Sequence, residues 1–80
     1  MHELGLARSI AGIAEENAKG RLLKEVRVAI GPMACVERGA LEFCWGLVTK
    51  STGIAGVGLS FLDADGDTFV VRELEFMEEA

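Results

Sequence analysis

The spacing between apolar residues changes along this chain from a helical period to the period of a strand and back again. Residues 3–19 have apolar side chains at steps of three and four, and Gly20 then provides a helix stop signal. In residues 24–30 the steps are of two, which is typical of a strand with one covered face. Helical spacing returns over residues 36–53, where Gly53 marks the exit. The apolar positions of the two predicted helices are Leu4, Ala7, Ile10, Ile13, Ala14 and Ala18, and then Val36, Ala40, Leu41, Cys44, Leu47 and Val48.

The last part of the chain predicts two more strands, on either side of the sequence "DADGD" at residues 63–67. Aspartate and glycine tolerate the backbone angles of tight turns, so we expect these strands to form a hairpin. The strand-helix-strand portion before them can form a right-handed crossover. The predicted fold class is therefore α+β, a small three-stranded mixed sheet packed with two helices in the order α-β-α-β-β.

The final strand has an irregular apolar pattern. Phe69 and Val71 share one parity, whereas Leu74 and Phe76 share the other. A regular strand would point these two pairs to opposite faces of the sheet. We therefore predict a β-bulge at residues 72–73, which puts all four side chains on the core face.

The size of the chain limits it to one domain. With 80 residues, of which half are apolar, residues 1–80 can bury a single modest core. The ten glycines are scattered and there is only one proline, which indicates a compact globular domain. A homodimer would add to the stability of so small a core.

The charge and the apolar runs exclude two classes of partner. A formal charge of −5 gives no basic surface for nucleic acid. The apolar runs are too short to cross a bilayer, and the N-terminus lacks the features of a signal peptide, so we expect a cytoplasmic protein. In that reducing compartment Cys35 and Cys44 are expected to be free thiols.

The inventory of reactive side chains argues against an enzyme and against zinc. A single histidine, two separated cysteines and the lack of a glycine-rich phosphate loop leave no recognisable pair of nucleophile and base. A structural zinc site needs four ligands, usually in closely spaced pairs. Cys44 lies instead on the apolar side of the second predicted helix, where it is expected to act as a small buried hydrophobe.

The sequence "DADGD" has a partial likeness to a calcium loop, because its three aspartates alternate. It departs from the calcium pattern at two positions that matter. The glycine belongs sixth in such a loop but Gly66 is fourth, and Leu74 stands at the twelfth position, where a bidentate glutamate is needed. A turn is the better interpretation of this segment.

The first three residues, Met1, His2 and Glu3, are a candidate metal site. The α-amine of Met1, the backbone nitrogen of His2 and its imidazole can chelate one ion in two fused rings. Glu3 can approach the fourth position through its backbone nitrogen or its carboxylate. Such a nitrogen-rich tetragonal set suits Ni(II) or Cu(II). The simpler alternative is that His2 is a frayed surface residue and that the charge of Glu3 favours the helix N-terminus.

Several segments resemble the HypA family of hydrogenase and urease nickel-insertion proteins. These are "MHELGLARSIAGIAEENAKG", "VRVAIGPMACVERGALEFCWGLVTKSTG" and "RELEFMEE", which cover nearly the whole chain. The resemblance implies a nickel metallochaperone that works with a HypB-like GTPase and passes Ni(II) toward the large subunit of a nickel-iron hydrogenase. It implies that the nickel ligands are Met1, His2 and Glu3.

One departure from the family is large. HypA proteins carry a zinc-ribbon domain between the last two strands, and this chain has only the short turn at residues 63–67 in that place. We therefore expect a HypA-like nickel-binding domain over residues 1–80 that binds no zinc. Release of the metal would then depend on the N-terminus, for instance on protonation of the amine and of His2 as the pH falls.

A second hypothesis is an interaction module of hydrogenase assembly that keeps the fold but not metal delivery. The polar side of the first helix offers a charged surface, although plain solvation also explains it. Phe43 and Trp45 flank Cys44 on the second helix and cannot all face one core, so at least one aromatic ring is expected near the surface or at a subunit contact.

Overall fold

The computed structural model describes residues 2–78 as two helices and a three-stranded mixed sheet. The predicted fold class and element order are confirmed. The elements are α1 (Glu3–Ala18), β1 (Leu23–Ile30), α2 (Arg38–Thr49), β2 (Gly58–Asp63) and β3 (Phe69–Phe76). Within residues 2–78, neither helix is long and apolar enough to cross a membrane.

The strand order is β2-β1-β3, so the predicted hairpin is wrong. Strand β1 pairs in parallel with β2, where Val26 lies opposite Leu59, and antiparallel with β3, where Val26 lies opposite Leu74. β1 lies in the centre and is the most buried strand, with Val28 and Ala29 fully buried on its opposite faces. A period of two predicts which face of a strand is covered, but it does not predict the neighbouring strand.

The predicted β-bulge in β3 is confirmed. The register shifts between the pair Arg27 with Glu73 and the pair Val28 with Val71, so Arg72 is the extra residue. The shift brings both parities of apolar side chains onto the face that carries the helices. The residues that pack there against the core, each partly buried, are Phe69, Val71, Leu74 and Phe76.

Helix α1 packs against α2 and β3 through small side chains. Its buried residues are Ala7, Ile10, Ala11, Ala14 and Ala18. Two predicted core positions, Leu4 and Ile13, are instead more than 40% exposed. Ile13 lies beyond the edge of the buried stripe of the helix, and Leu4 lies in its first turn. The helix ends at Ala18, and the two residues that follow, Lys19 and Gly20, both have positive φ.

Helix α2 is shorter than predicted and buries only one of its two aromatic rings. It ends at Thr49, four residues before the predicted exit. Trp45 is 4% exposed and its indole N–H donates to the carbonyl of Val57 at 2.8 Å, whereas Phe43 is 70% exposed. The expectation that one aromatic ring would lie near the surface is confirmed. Cys44 is half-buried and packs against the core.

The connection between β2 and β3 crosses the end of β1. Backbone N–H groups of Gly31 and Met33 donate to the carbonyls of Thr68 and Gly66, each at 2.8 Å. A side chain at Gly31 would place its Cβ 2.2 Å from the Gly66 carbonyl oxygen. Gly31 is therefore required by the close approach of two backbone segments.

The sheet face opposite the helices carries an ion-pair network. The guanidinium of Arg27 lies between the carboxylates of Glu25 and Glu75, and Lys24 also pairs with Glu75 at 3.3 Å. On β2, the hydroxyl of Ser60 donates a hydrogen bond to the carboxylate of Glu25 at 3.0 Å. Arg27, followed by Lys24, lowers the pKa of Glu75. These charges therefore compensate one another between β1 and β3, and Ser60 connects the network to β2.

Candidate metal-binding N-terminus

His2 lies at the N-cap position of α1 with an extended backbone. Its carbonyl accepts the first helical hydrogen bond, from the N–H of Leu6 at 3.1 Å. The imidazole makes no capping hydrogen bond and the residue is exposed. Met1, the other predicted ligand beside Glu3, lies outside the described residues. The only imidazole of the chain is therefore open to solvent where α1 begins.

Glu3 joins the starts of the two helices. Its carboxylate Oε2 accepts a hydrogen bond from the backbone N–H of Glu37 at 3.2 Å, across 34 positions of sequence. This bond, together with one from the backbone N–H of Glu3 itself, lowers the pKa of the Glu3 carboxyl. The carboxylate is therefore charged over a wider range of acidic pH than an ordinary glutamate, and its position is set by α2.

Glu37 is a residue of this region that the sequence analysis missed. Its carboxylate caps α2 by accepting from the backbone N–H groups of Gly39 at 3.1 Å and Ala40 at 2.6 Å. Glutamate is not among the preferred N-cap residues, which is why the pattern did not point to it. The available signal was an acidic residue in the first turn of the predicted helix, where a negative charge is favourable.

Substitution of Glu37 by alanine is expected to destabilise the protein by about 1 kcal/mol, because two N–H groups at the start of α2 lose their acceptor. The backbone N–H of Glu37, which donates to the Glu3 carboxylate, remains in this variant. The variant therefore tests the capping of α2 separately from the contact between Glu37 and Glu3. Urea denaturation measures the change. Glu42→Ala, which also removes one exposed negative charge from α2, should change stability by less than about 0.5 kcal/mol. Equal losses in both variants would contradict the capping role.

The other candidate ligands are dispersed. Within residues 2–78, no three side chains of histidine, cysteine, aspartate or glutamate form a group that could hold a metal ion. Cys35 and Cys44 are both free thiols. At the "DADGD" turn, Asp63 pairs instead with Arg38 of α2 at 3.1 Å. Of the three predicted metal ligands, His2 and Glu3 lie side by side at the start of α1, and Met1 lies outside the described residues.

Comparison with known proteins agrees with the resemblance seen in the sequence. A family model described as "Hydrogenase/urease nickel incorporation, metallochaperone, hypA" matches residues 1–69. The hydrogenase maturation factor HypA of Trichodesmium erythraeum is 38% identical over 66 residues, which cover 82% of this chain and 58% of that protein. The HypA of Crocosphaera subtropica is 33% identical with the same coverage. This chain thus spans 58% of the length of these curated relatives.

A solved structure has the same fold. The solution structure of the Ni metallochaperone HypA from Helicobacter pylori superposes with a TM-score of 0.81 and covers 99% of this chain and 100% of that chain, at 14% sequence identity. At 14% identity the structural likeness shows the fold alone, whereas the family model and the more similar relatives show the family. The resemblance is confirmed, and this chain belongs to the HypA family.

Proposed function

We propose that this protein is a nickel metallochaperone of nickel-iron hydrogenase maturation that binds Ni(II) through Met1, His2 and Glu3. One observation carries the proposal: the exposed imidazole of His2 and the charged carboxylate of Glu3 occupy consecutive positions at the start of α1. Membership in the HypA family supports nickel as the metal. In this proposal Ni(II) is cargo, held for delivery and not for catalysis.

The chemistry of the donor set suits this cargo. The amine of Met1 with the backbone nitrogen and imidazole of His2 would supply three nitrogen donors to a tetragonal ion. Glu3 would supply the fourth position. Because its carboxylate also accepts from Glu37, nickel bound by that carboxylate would be linked to the start of α2.

The proposed setting is the cytoplasm, with a HypB-like GTPase and the hydrogenase large subunit as partners. A homodimer is a further proposed assembly. Because the matched relatives are longer than this chain, the activity and partners of a full-length HypA come to it only as proposals. The zinc function of the family is not included, since the segment 63–67 has no zinc-ribbon motif.

The proposal is tested by calorimetric titration of Ni(II) into tag-free protein that begins at Met1. We expect one ion per chain, and no detectable binding for His2→Ala. A Gly-Ser extension before Met1 should also abolish binding, because it converts the α-amine into an amide. The same extension placed after Ala80 is the matched control and should leave binding unchanged.

Glu3→Gln separates the two ways in which this residue can contribute. Glutamine can still accept a hydrogen bond from the N–H of Glu37 but has no charge. Weakened nickel binding would identify the carboxylate as the ligand, whereas unchanged binding would identify the backbone nitrogen. Equal binding by wild-type protein and an N-terminally extended His2→Ala variant would refute the nickel site and favour the interaction module.

A further inference from the structure

Three large apolar side chains are exposed together on the outer side of the two helices. Leu4 is 42% exposed, Phe43 70% and Leu47 56%. Leu4 and Leu47 line a groove between α1 and α2, about 350 Å³ in volume, with Arg8, Val48 and Ser51. We call these five lining residues the helix groove. Phe43 extends it, because it lies one helical turn before Leu47.

The charge of the helix groove indicates the chemistry of what it binds. Arg8 makes no ion pair with any residue in the range 2–78, unlike Arg27 and Arg38, which both have carboxylate partners. The groove thus contains one cation and no carboxylate, in a chain whose net charge is −5. A bound partner that supplies a carboxylate would complement Arg8.

The same charge disfavours a second copy of this chain in the groove. A twofold contact centred there would bring the two copies of Arg8 together without an acidic side chain from the lining residues. Such juxtaposition of like charges opposes association. The occupant is therefore better sought in a different protein.

The walls of the groove favour a helix over a strand. An extended segment needs unpaired backbone N–H and C=O groups to bind, as at a sheet edge. Leu4 and Arg8 lie within α1 and Leu47 and Val48 within α2, so the walls offer no strand edge, only single N–H or C=O groups in a terminal helical turn. Apolar side chains between two helices instead match the apolar face of a third helix, with anchors at i, i+3, i+4 and i+7.

We propose that the helix groove and Phe43 bind an amphipathic helix of a partner protein, whose apolar side chains cover Leu4, Phe43 and Leu47 and whose carboxylate pairs with Arg8. Leu4 follows Glu3 directly, so a helix docked here would lie beside the N-terminal residues. This inference goes beyond the nickel proposal, since docking requires no metal.

The test uses metal-free protein and two synthetic peptides of roughly 18 residues, stapled as helices because short free helices are marginal in water. Both carry leucine at i, i+3, i+4 and i+7, and they differ only in having glutamate or lysine at the flanking positions. Fluorescence anisotropy should show that the acidic peptide binds at least about tenfold more tightly than the basic peptide. Arg8→Glu should reverse this preference.

Leu47→Glu should abolish binding of the acidic peptide. Ile13→Glu is the matched control, because Ile13 is 44% exposed on α1 but does not line the helix groove, and it should leave binding unchanged. Circular dichroism establishes that each variant is folded. Nickel titration of Leu47→Glu should match wild type, so failure of docking is distinguishable from failure of the nickel site.

Three results would overturn the inference. These are no binding of the acidic peptide, equal binding of the two peptides, and equal losses in Leu47→Glu and Ile13→Glu. Sedimentation of the protein without peptide can give a fourth such result. A dimer that dissociates in the Leu47→Glu variant would mean that the helix groove binds a second copy of this chain.

Discussion

Gly31→Ala is expected to destabilise this protein by about 3 kcal/mol or more, a large part of the stability of a domain of this size. The added Cβ would lie 2.2 Å from the carbonyl oxygen of Gly66 and 2.6 Å from that of Asp65. Both are backbone atoms, so no side-chain rotation relieves the overlap. The segment that joins β2 to β3 would have to move, with loss of its hydrogen bonds to Gly31 and Met33.

Urea denaturation of Gly31→Ala beside Gly12→Ala makes this prediction specific. Gly12 is exposed within α1 and a Cβ there meets nothing within 4 Å, so alanine should stabilise the helix by about 0.5–1 kcal/mol. The two glycine substitutions are thus expected to act with opposite signs. A loss below about 0.5 kcal/mol for Gly31→Ala would contradict the close approach of the two segments.

Trp45→Ala is expected to cost about 3–5 kcal/mol, because it removes the largest side chain of the core and leaves a cavity. It also leaves the carbonyl of Val57 without the indole N–H that binds it at 2.8 Å. That bond ties α2 to the residue just before β2. The substitution therefore removes a contact between α2 and the segment before β2, in addition to leaving a cavity in the core.

Phe43→Ala, on the same helix, is the control for Trp45→Ala. Its ring is 70% exposed, so its removal should change stability by less than about 0.5 kcal/mol. The midpoints of urea denaturation give the comparison, provided that the slope stays the same. Similar losses for the two variants would mean that the assignment of the buried ring is wrong.

Helices and strands whose apolar residues have a clear period can be predicted directly from the sequence. The steps of three and four in residues 3–19 and of two in residues 24–30 depend on backbone geometry that is local to each segment. The bulge in β3 was also predictable, since both parities of apolar side chain had to reach one core. The failures were the hairpin and the extent of α2, because strand partners and helix ends depend on residues distant in sequence.

One part of the candidate metal site could also be predicted from the sequence, whereas another part depends on the tertiary structure. His2 and Glu3 are adjacent in sequence, so their joint position at the start of α1 required no tertiary information. Glu37 is 34 positions from Glu3, and only the packing of α1 against α2 brings its N–H to the Glu3 carboxylate. A glutamate N-cap has no strong sequence pattern that would have indicated this contact.

The amino-acid sequence by itself determined the elements, their order, the covered faces of the strands and the family, because each depends on local periodicity or on the residues themselves. The tertiary structure alone decided that β1 is central, that Gly31 lies against Gly66, that Trp45 and not Phe43 is buried, and that Glu3 joins the two helix starts. These outcomes depend on which apolar faces meet and on backbone groups that find partners far along the chain. Such long-range choices are made by the packing of the whole domain.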